Sequence, residues 1–497
     1  MRRPARAPGV PDSGARRPPP ESWSRSMPPR STRVLALAAA LAAVLGTAGP
    51  ARAAAPPANP HLAAGGAGAM HGDSASSDTT PRSGPGTGGT VSHRTALQAA
   101  CPTVVAGSDG YPVAVCTGMF DRAPHVHLLD PATGASLTEL TLAKSSVLGG
   151  IYSYLDERDR LVVADGSGDL LRIAHARTAG GGWELKVVER TPLTGAVPAG
   201  DSVVGLSPDW RGRVWFATAH GLVGTVDTTT KSVRTTDLGE AVANSISTAP
   251  EGTAVATDRA LYLLRAGADG TPRVVWQRAY DRGPARKPGQ LSHGTGATPT
   301  FFGPRTGSEY LAITDNAAPQ EHLIVVSTED NRTVCRIPVL DPNGSGTENS
   351  PIGAGNSVYV ASTYGYPYPA VPDGAGPAQP ASAPFAGGLT RVDVDRDGNG
   401  CAIRWDTRIR SAAVPKLSVA DGTLYTVERT GLLDPARTGI LDRYDFLAVD
   451  AETGRVTSRH RLGTGFLFDT LQMAGNATPG GVWWQGTLTG VVRIAPR

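Results

Sequence analysis

The acidic residues most closely spaced for metal binding lie in the stretch RVDVDRDGNGCAIRW. Three aspartates alternate from position 393 to position 397 and Gly398 follows them, as in the first half of a calcium-binding loop. Such a loop also needs a bidentate acidic ligand at its twelfth position, which here is Arg404, a cation. Because Asp-Gly-Asn-Gly also suits a tight turn, we predict a hairpin turn and keep a calcium site as the alternative.

Ten further polar residues stand next to short apolar runs, where folding could bring them together. Their carboxyl, amide, imidazole, ammonium and phenol groups are those that bind ligands or transfer protons. The ten candidates are Asp201, Asn244, His293, Asp315, Asn316, Glu348, Asn349, Tyr364, Lys416 and Asp469. A ligand site is one interpretation of this set. The other is a structural network in which these groups satisfy one another and the backbone.

His293 and the pair Asp315-Asn316 illustrate both interpretations. His293, in SHGTGATPT, could act as a general base, but no serine or cysteine nucleophile motif accompanies it. Asp315 and Asn316 precede a loop that contains proline, where Asx side chains usually bond to the backbone of a turn. We therefore predict a turn at this pair and keep a metal or sugar contact as the alternative.

The elements that would position these residues repeat along the chain. From residue 99 to residue 497, short apolar runs separated by turns recur in eight units, at intervals of roughly 40 to 65 residues and without a helical apolar period. Four short antiparallel strands per unit at this spacing are typical of β-propellers. We predict an all-β domain over residues 99–497, a propeller of eight four-stranded antiparallel blades, or seven in the alternative. A strand from the region before or around Cys101 would complete the last blade.

In a propeller the innermost strands line a central channel, and the loops that lead into them share one face. We expect the ten candidates on that channel face, with Glu348 and Lys416 placed to pair from neighbouring units. Lys416 is one of only five lysines in the chain, and an ammonium at a channel mouth could bind an anionic ligand. Tyr364 lies in the insertion TYGYPYP, whose tyrosines could stack on a ligand or, as we prefer, cover the blade edge.

Two turns between third and fourth strands carry a family resemblance. LDPATGASLTEL and VDAETGRVTSRH resemble the A-x-D-x-x-T-G-x-x-x-W repeat of quinoprotein propellers, which use pyrroloquinoline quinone. The matching residues are Asp130, Thr133, Gly134, Asp450, Thr453 and Gly454, with Trp276 and Trp405 near the tryptophan position of other units. The resemblance implies eight blades and makes the quinone a candidate cofactor. The adjacent cysteines and the catalytic aspartate of that family's alcohol dehydrogenases have no match here. As a whole, the chain resembles uncharacterised exported propeller proteins of high-GC bacteria.

Residues 1–53 have the features of an export signal. A basic start is followed by an apolar run over residues 34–45 and by Ala-Arg-Ala at 51–53, a typical cleavage site. The run is too short to span a bilayer, which needs about 20 residues. We therefore expect a secreted, extracellular protein without a stable membrane anchor. Met27 is an alternative start, which would make the preceding residues an upstream extension.

Residues 54–98 consist mostly of Ala, Gly, Pro, Ser and His, with almost no large apolar side chains. Such a segment cannot bury enough apolar surface to offset the entropy lost on ordering. We therefore predict a disordered linker between the signal and the propeller.

The four cysteines predict two disulfides, because an even number in an exported chain usually forms a disulfide framework. Cys101 and Cys116 flank a hairpin-like stretch, whereas Cys335 and Cys401 each lie in a strand-like run. Of the three pairings, we predict 101–116 with 335–401. We predict no metal site at these cysteines, because a zinc site would need a CxxC pair or a nearby histidine.

The charge balance bears on the partner class. The chain has a formal net charge of +3, but nine arginines against two acidic residues make residues 1–53 strongly basic and leave the rest at −4. A mildly acidic protein has no electrostatic reason to bind nucleic acid, so we exclude that class. We expect a monomer whose partner is a small molecule or another protein.

These patterns favour one function and keep two alternatives. The first is an exported propeller that binds a small molecule or partner on its channel face, with no catalysis established. The alternatives are an oxidoreductase that depends on pyrroloquinoline quinone, and a lyase or hydrolase with a site on the same face. The fold cannot choose among them, because propellers host unrelated functions.

Overall fold

The computed structural model describes residues 55–144, 151–244, 246–372, 374–434 and 437–497. The predicted signal, residues 1–53, lies outside the described residues. In the part described, no helix has the length and apolar character needed to cross a membrane. The first two strands are β1 (Thr79–Thr80) and β2 (Thr90–Ala96), and both lie within the predicted linker.

Each of the first four blades is an antiparallel sheet whose strands follow chain order from the channel outwards. Blade 1 contains β3 (Ala99–Ala106), β4 (Pro112–Gly118), β5 (Pro124–Leu129) and β6 (Ser136–Thr141). Blade 2 contains β7 (Tyr154–Leu155), β8 (Leu161–Ala164), β9 (Asp169–Arg177) and β10 (Trp183–Pro192). Blade 3 contains β11 (Val203–Pro208), β12 (Val214–Thr218), β13 (Leu222–Val226) and β14 (Val233–Asp237). Blade 4 contains β15 (Ser247–Ala249), β16 (Gly252–Ala256), β17 (Ala260–Ala266) and β18 (Pro272–Ala279).

The other four blades repeat this arrangement. Blade 5 contains β19 (Thr300–Phe302), β20 (Tyr310–Thr314), β21 (His322–Ser327) and β22 (Thr333–Pro338). Blade 6 contains β23 (Ile352–Ala354), β24 (Ser357–Ala361), β25 (Leu389–Val394) and β26 (Cys401–Thr407). Blade 7 contains β27 (Lys416–Ser418), β28 (Thr423–Thr430), β29 (Arg443–Asp450) and β30 (Val456–Thr464). Blade 8 contains β31 (Asn476–Thr478), β32 (Val482–Thr487) and β33 (Gly490–Pro496), followed by β2 as its outermost strand.

The apolar pattern explains why these segments form stacked blades. The second strands, such as β8 and β20, are buried on both faces, whereas outermost strands such as β10 alternate between exposed and half-buried residues. The core is therefore divided into clusters between neighbouring sheets. Phe302, Val325 and Val358, for example, pack together across blades 5 and 6. No blade could bury both of its faces alone, so the ring stabilises each one.

Blade 8 closes the ring by joining both ends of the propeller. Strand β2 pairs antiparallel with β33 over its whole length, from Thr90 opposite Pro496 to Ala96 opposite Gly490. This confirms the predicted completion of the last blade by a strand from before Cys101. It also confirms eight blades and rules out the seven-bladed alternative.

The prediction of a disordered linker is wrong for residues 55–98. Residues 59–80, which we call the channel plug, run into the central channel and turn back within it. Ser77, Asp78 and Thr80 are completely buried there. Strand β1 of the plug pairs in parallel with β27, the innermost strand of blade 7. The ordered propeller unit therefore begins well before residue 99.

Backbone hydrogen bonds hold the plug against the innermost strands. On blades 4 to 7 the N–H groups of Thr248, Phe301, Gly353 and Leu417 donate to plug carbonyl oxygens at 2.6, 3.0, 3.0 and 2.9 Å. Plug carbonyls also accept from Ala106 of blade 1 at 2.9 Å and from Leu155 of blade 2 at 2.7 Å. Asn59 of the plug donates to Pro208 of blade 3 at 2.7 Å, and Asn476 of blade 8 donates to Ala69 at 3.2 Å. The plug thus contacts all eight blades.

Both predicted disulfides are confirmed. Cys101–Cys116 joins β3 to β4 within blade 1. Cys335–Cys401 joins β22 to β26, the outermost strands of blades 5 and 6. The second disulfide therefore links neighbouring blades at the rim.

The turns that resemble the quinoprotein repeat tie neighbouring blades together. The carboxylate of Asp450 accepts the Thr453 N–H at 2.7 Å, which shapes the turn. Trp405 of blade 6 lies against Gly454 of this turn, and its indole N–H donates to the Ala451 carbonyl at 3.2 Å. A larger residue at 454 would collide with the indole ring. The motif therefore has a structural role here.

Candidate ligand site at the channel mouth

A cavity of about 400 Å³ opens on the channel face, where loops from most of the blades meet. Its floor is the tip of the channel plug, Met70 and His71. Because the plug fills the channel beneath, this space is a closed-bottomed pocket and not the end of a pore. Its aliphatic and aromatic lining includes Tyr152, Leu291, Tyr368, Val414, Met473 and Leu488. Its polar lining includes Asn244, Glu348, Asn349 and Gln472.

The repeat explains why these residues converge. Tyr152, Asn244, Glu348 and Gln472 all lie in loops that lead into innermost strands, so the ring brings the same loop position of each blade to one place. Tyr368 comes from the long loop between β24 and β25 and completes the wall. The rigid blades thereby hold these side chains in fixed positions around the mouth.

Most polar groups of this cavity satisfy one another. The Tyr152 hydroxyl donates to Asn244 Oδ1 at 2.8 Å. Asn349 Nδ2 donates to Gln472 Oε1 at 3.1 Å, and Gln472 Nε2 donates to the Ser411 carbonyl at 2.8 Å. These bonds fix the side chains, so the polar lining is preorganised.

Glu348 is the exception among these groups. Its Oε1 accepts from Ser292 Oγ at 3.2 Å, but its Oε2 is buried without a hydrogen-bond partner. Burial raises the pKa of Glu348 to about 8, against the lowering effect of hydrogen bonds from Leu291, Ser292 and Asn244. The carboxyl of Glu321 raises it further. Glu348 is therefore mainly protonated and uncharged at neutral pH.

The predicted pair between Glu348 and Lys416 is wrong. Lys416 is completely buried beneath the plug, where its Nζ donates to the Met70 carbonyl at 3.0 Å and to Asn476 Oδ1 at 2.6 Å. It also lies 4.0 Å from Asp78. Burial lowers the pKa of Lys416 to about 8, although Asp78 opposes this shift. Lys416 therefore anchors the plug. It does not face the channel mouth, because the plug occupies the channel.

A second cavity, of about 460 Å³, adjoins the first on the side of blades 3 to 5. The two cavities share Asn244, Leu291, Glu348 and Pro372 as their common wall. His293 lies in this second cavity, but both of its ring nitrogens are engaged. Nδ1 lies 3.1 Å from Arg282 Nη2, and Nε2 lies 3.1 Å from the Gly283 carbonyl. This arrangement gives His293 a structural role in place of the general-base role considered from sequence.

Asp315 and Asn316 form the turn that we predicted. Asp315 is completely buried and accepts from the His322 N–H at 2.7 Å and from Arg336 Nη2 at 2.8 Å. Asn316 Nδ2 donates to the carbonyls of Arg282 and Ala285 at 2.8 and 3.0 Å. Both side chains hold loops in place, and neither lines one of the two cavities described above.

Three other candidates also lie outside the two cavities. Asp201 bonds to the Ser202 N–H at 2.8 Å and pairs with His220 at 2.9 Å. Asp469 accepts from Arg429 Nη1 at 3.0 Å and from the Tyr366 hydroxyl. The ring of Tyr364 lies against two glycines of a neighbouring loop and covers the blade. Of the ten candidates, the structure thus brings together Asn244, Glu348, Asn349 and His293.

Sequence reasoning missed several lining residues. Gln472 occupies the same loop position as Glu348, so the repeat alone could have indicated it. Met70 and His71 could not be predicted as lining residues, because the segment that contains them was predicted to be disordered.

The stretch that resembles a calcium loop is a hairpin turn between β25 and β26, as predicted. The Asp395 N–H donates to the Gly400 carbonyl at 2.9 Å, and the Gly398 N–H donates back to Asp395 at 2.9 Å. Asp393 is bound by two guanidinium groups, those of Arg391 at 2.8 Å and Arg404 at 3.0 Å. The residue that departs from the calcium pattern is thus a partner of its first aspartate. The described residues contain no cluster of three or more His, Cys, Asp or Glu suited to a metal.

The lining of the mouth does not fit pyrroloquinoline quinone. The quinone is a tricarboxylate and needs several positive partners, whereas the described lining has Arg122 exposed at its rim and the carboxyl of Glu348 at its centre. The carboxyl of Glu348 offers no positive charge to the cofactor's carboxylates, whether it is protonated or ionised. We therefore derive no chemistry through this group.

Comparisons with known proteins do not identify a family for this chain. No family model matches the chain. An uncharacterized protein of Archaeoglobus fulgidus is 26% identical over 214 residues, which are 39% of this chain and 39% of that relative. Similar solved structures include a europium-containing methanol dehydrogenase, 11% identical with a TM-score of 0.48 over 86% of this chain and 98% of the other.

A quinohemoprotein alcohol dehydrogenase from Pseudomonas putida HK5 is 10% identical, with a TM-score of 0.49 over 88% of this chain and 80% of the other. A streptogramin B lyase is 8% identical, with a TM-score of 0.42 over 82% and 98%. At these identities and scores, the likenesses assign no activity to this chain.

Proposed function

We propose that this protein is an exported β-propeller that binds an amphipathic small molecule in the cavity at its channel mouth. The observation that carries the proposal is the cavity itself, about 400 Å³ of space with a mainly apolar lining and a few preorganised polar groups. Small-molecule sites usually have this composition and volumes of about 300–1,000 Å³. The proposal concerns binding and assigns no reaction.

The plug supports binding in preference to passage through the ring. It contacts the innermost strands of all eight blades and forms the floor of the cavity. A ligand that entered from the channel face would therefore meet a fixed surface and stop there. The long β24–β25 loop, which contributes Tyr368, would cover part of it.

Export is part of the proposal and rests on separate support. The two disulfides are typical of proteins outside the reducing cytosol, and the first 53 residues have the pattern of a signal. Mass spectrometry of the protein recovered from culture medium would test this. We expect a chain that begins at Ala54, and a full-length chain confined to cells would contradict export.

Blocking the cavity tests the binding function. Leu488 lines the cavity from the turn between β32 and β33, so Leu488→Trp should fill part of the space with little effect on the blade. In a thermal-shift screen of amphipathic amines, alcohols and acids, we expect compounds that raise the Tm of the native protein to lose that effect in the variant. Leu433→Trp is the matched control, because Leu433 is 97% exposed and outside the cavity. Hits unaffected by Leu488→Trp would place binding elsewhere.

One observation favours a second function, acid–base catalysis. A carboxyl with a pKa of about 8 in a cavity is suited to act as a general acid near neutral pH. This would correspond to the lyase or hydrolase alternative. If a compound bound at the mouth is converted, we expect Glu348→Gln to abolish its turnover while leaving its binding measurable. Unchanged turnover would exclude Glu348 as the acid.

A further inference from the structure

We infer that the ligand of the mouth cavity is an organic cation, a basic amine on an apolar or aromatic body, whose ammonium pairs with Glu348. This inference rests on the proposed function, since it names the chemical class of ligand for the same cavity.

The first step is the unpartnered oxygen. Tyr152, Asn244, Asn349 and Gln472 are bonded to one another or to the backbone, so part of their hydrogen-bonding capacity is already used. Glu348 Oε2 is buried and has no hydrogen-bond partner, although it lies in the wall shared by both cavities. A buried acceptor without a donor costs free energy, and a donor supplied by a ligand would recover it.

The second step is the missing countercharge. Of the ion pairs formed by the described residues, none includes Glu348. Lys287, the cation on the neighbouring loop, is 3.4 Å from Glu321 and donates to the Ala317 carbonyl at 2.7 Å, so it is already used. Across the second cavity, Arg282 is paired with Asp258 at 3.0 Å. A carboxyl that forms no ion pair in a largely apolar cavity is complementary to a cation brought by the ligand.

The third step is the surface around the carboxyl. Tyr368 lies within electrostatic range of Glu348, so its phenol ring is near the carboxyl, and Tyr152 lines the same cavity. Aromatic faces attract ammonium groups, most strongly where water is excluded. Leu291, Val414 and Met473 provide aliphatic surface for the rest of the molecule. The combination suits an amine with an apolar body better than a sugar or a carboxylate.

Proton linkage gives the pairing a measurable signature. The groups that face Glu348 are Ser292, Asn244, the Leu291 N–H, Tyr368 and Glu321, whose own pKa burial raises to about 7. The pKa of Glu348 in the empty site is about 8, so below that pH an ammonium must displace a proton to form the pair. Affinity should therefore rise about tenfold per pH unit from pH 6 to pH 8 and then level off.

Three probes with one apolar body test the inference: 4-phenylbutylamine, 4-phenylbutan-1-ol and 4-phenylbutanoate. By isothermal titration at pH 8, we expect the amine to bind at least tenfold more tightly than the alcohol, and the acid more weakly than either. At pH 6 the preference for the amine should largely disappear. Glu348→Gln should remove the preference at pH 8 while the alcohol still binds. Glu329→Gln, an exposed carboxyl outside the cavity, is the matched control.

The outcomes separate the two proposals. If the alcohol binds, is blocked by Leu488→Trp and is not surpassed by the amine, the cation inference is overturned while the binding function stands. If none of the three probes binds at millimolar concentration, both are overturned. A cooperative unfolding transition of Glu348→Gln at pH 6, with a Tm no lower than that of the native protein, would show that a lost preference does not come from misfolding.

Discussion

Two buried carboxyl groups near the channel mouth keep their protons into the neutral range. Burial raises the pKa of Glu348 to about 8 and that of Glu321 to about 7, from an ordinary value near 4.5. A group whose pKa is raised in the folded state stabilises the fold below its unfolded pKa, and this contribution is lost as pH rises through the folded value. Both residues should thus destabilise the native protein progressively between about pH 5 and pH 8.

We predict that Glu348→Gln reduces this loss of stability. The amide is uncharged at all pH values, so the variant no longer has to ionise a buried group as pH rises. In urea unfolding at pH 5.5 and pH 8.5, the unfolding midpoint should fall less in the variant than in the native protein. Glu329→Gln, at an exposed position, should leave the native pH profile unchanged. Parallel profiles for Glu348→Gln and the native protein would show that this carboxyl titrates normally.

At the scale of single residues, the sequence indicated part of the site. Asn244, Glu348 and Asn349 could be predicted because their positions in the repeat place them at the mouth. The pair between Glu348 and Lys416 could not be judged, because its geometry depends on a segment that no pattern placed in the channel. Asp315 and Asn316 were correctly predicted as turn residues, since Asx side chains before a loop bond mainly to nearby backbone.

The channel plug shows how an element can be stable without large apolar side chains. Its stability comes from backbone hydrogen bonds to the inner strands of the blades and from the buried group formed by Lys416, Asp78 and His71. The composition of residues 54–98 suggested disorder, because the usual argument counts only apolar surface. A narrow channel can accommodate only small side chains. The composition of residues 54–98 is therefore what allows the plug to lie in the channel.

Glycine at position 72 tests this fit. Gly72 has a φ of 89°, and a Cβ there would collide with the carbonyl oxygen of Thr79, which is backbone and cannot turn away. We predict that Gly72→Ala destabilises the protein by about 3 kcal/mol, from left-handed strain plus the collision. Gly86 has a φ of 73° and nothing within 4 Å of a built Cβ, so Gly86→Ala should cost only about 1 kcal/mol.

The comparison is made by urea unfolding of both variants against the native protein. Equal losses for the two variants would mean that only the positive φ matters and that the plug tip is loosely held. Hydrogen exchange at Thr248, Phe301 and Gly353 gives an independent readout, because their N–H groups donate to the plug. Faster exchange at these three amides in Gly72→Ala alone would locate the damage in the channel.

For the whole molecule, blade number and strand order followed from the repeat, since each unit must bury its faces against the next. The quinoprotein-like turns also indicated where blades dock, as the contact between Trp405 and Gly454 shows. The rest depended on contacts between parts of the chain that are distant in sequence. No local pattern specifies where residues 55–98 lie, because their partners are spread over the following 400 residues.

The disulfide between blades 5 and 6 should stabilise the ring more than its rim position suggests. Cys335 and Cys401 close a loop with a sequence separation of 66, and a loop of that size corresponds to about 4 kcal/mol of restricted unfolded-state entropy. We predict a loss of that order in C335A/C401A, measured by urea unfolding. C101A/C116A, with a separation of 15, should lose about 3 kcal/mol and serves as the comparison. An unchanged midpoint in C335A/C401A would mean that the closed ring already fixes these blades.

The closure of blade 8 also determines how long the N-terminal segment must wait for its partner strand during synthesis. Strand β2 pairs with β33, which lies about 400 residues later in the chain, and chains grow at about 5–20 residues per second. The N-terminal segment therefore waits on the order of 20 to 80 s before its partners exist. A segment rich in Ala, Gly and Ser can wait in water without attracting other chains. The composition that looked like disorder is thus also a safeguard against aggregation while the protein is being made.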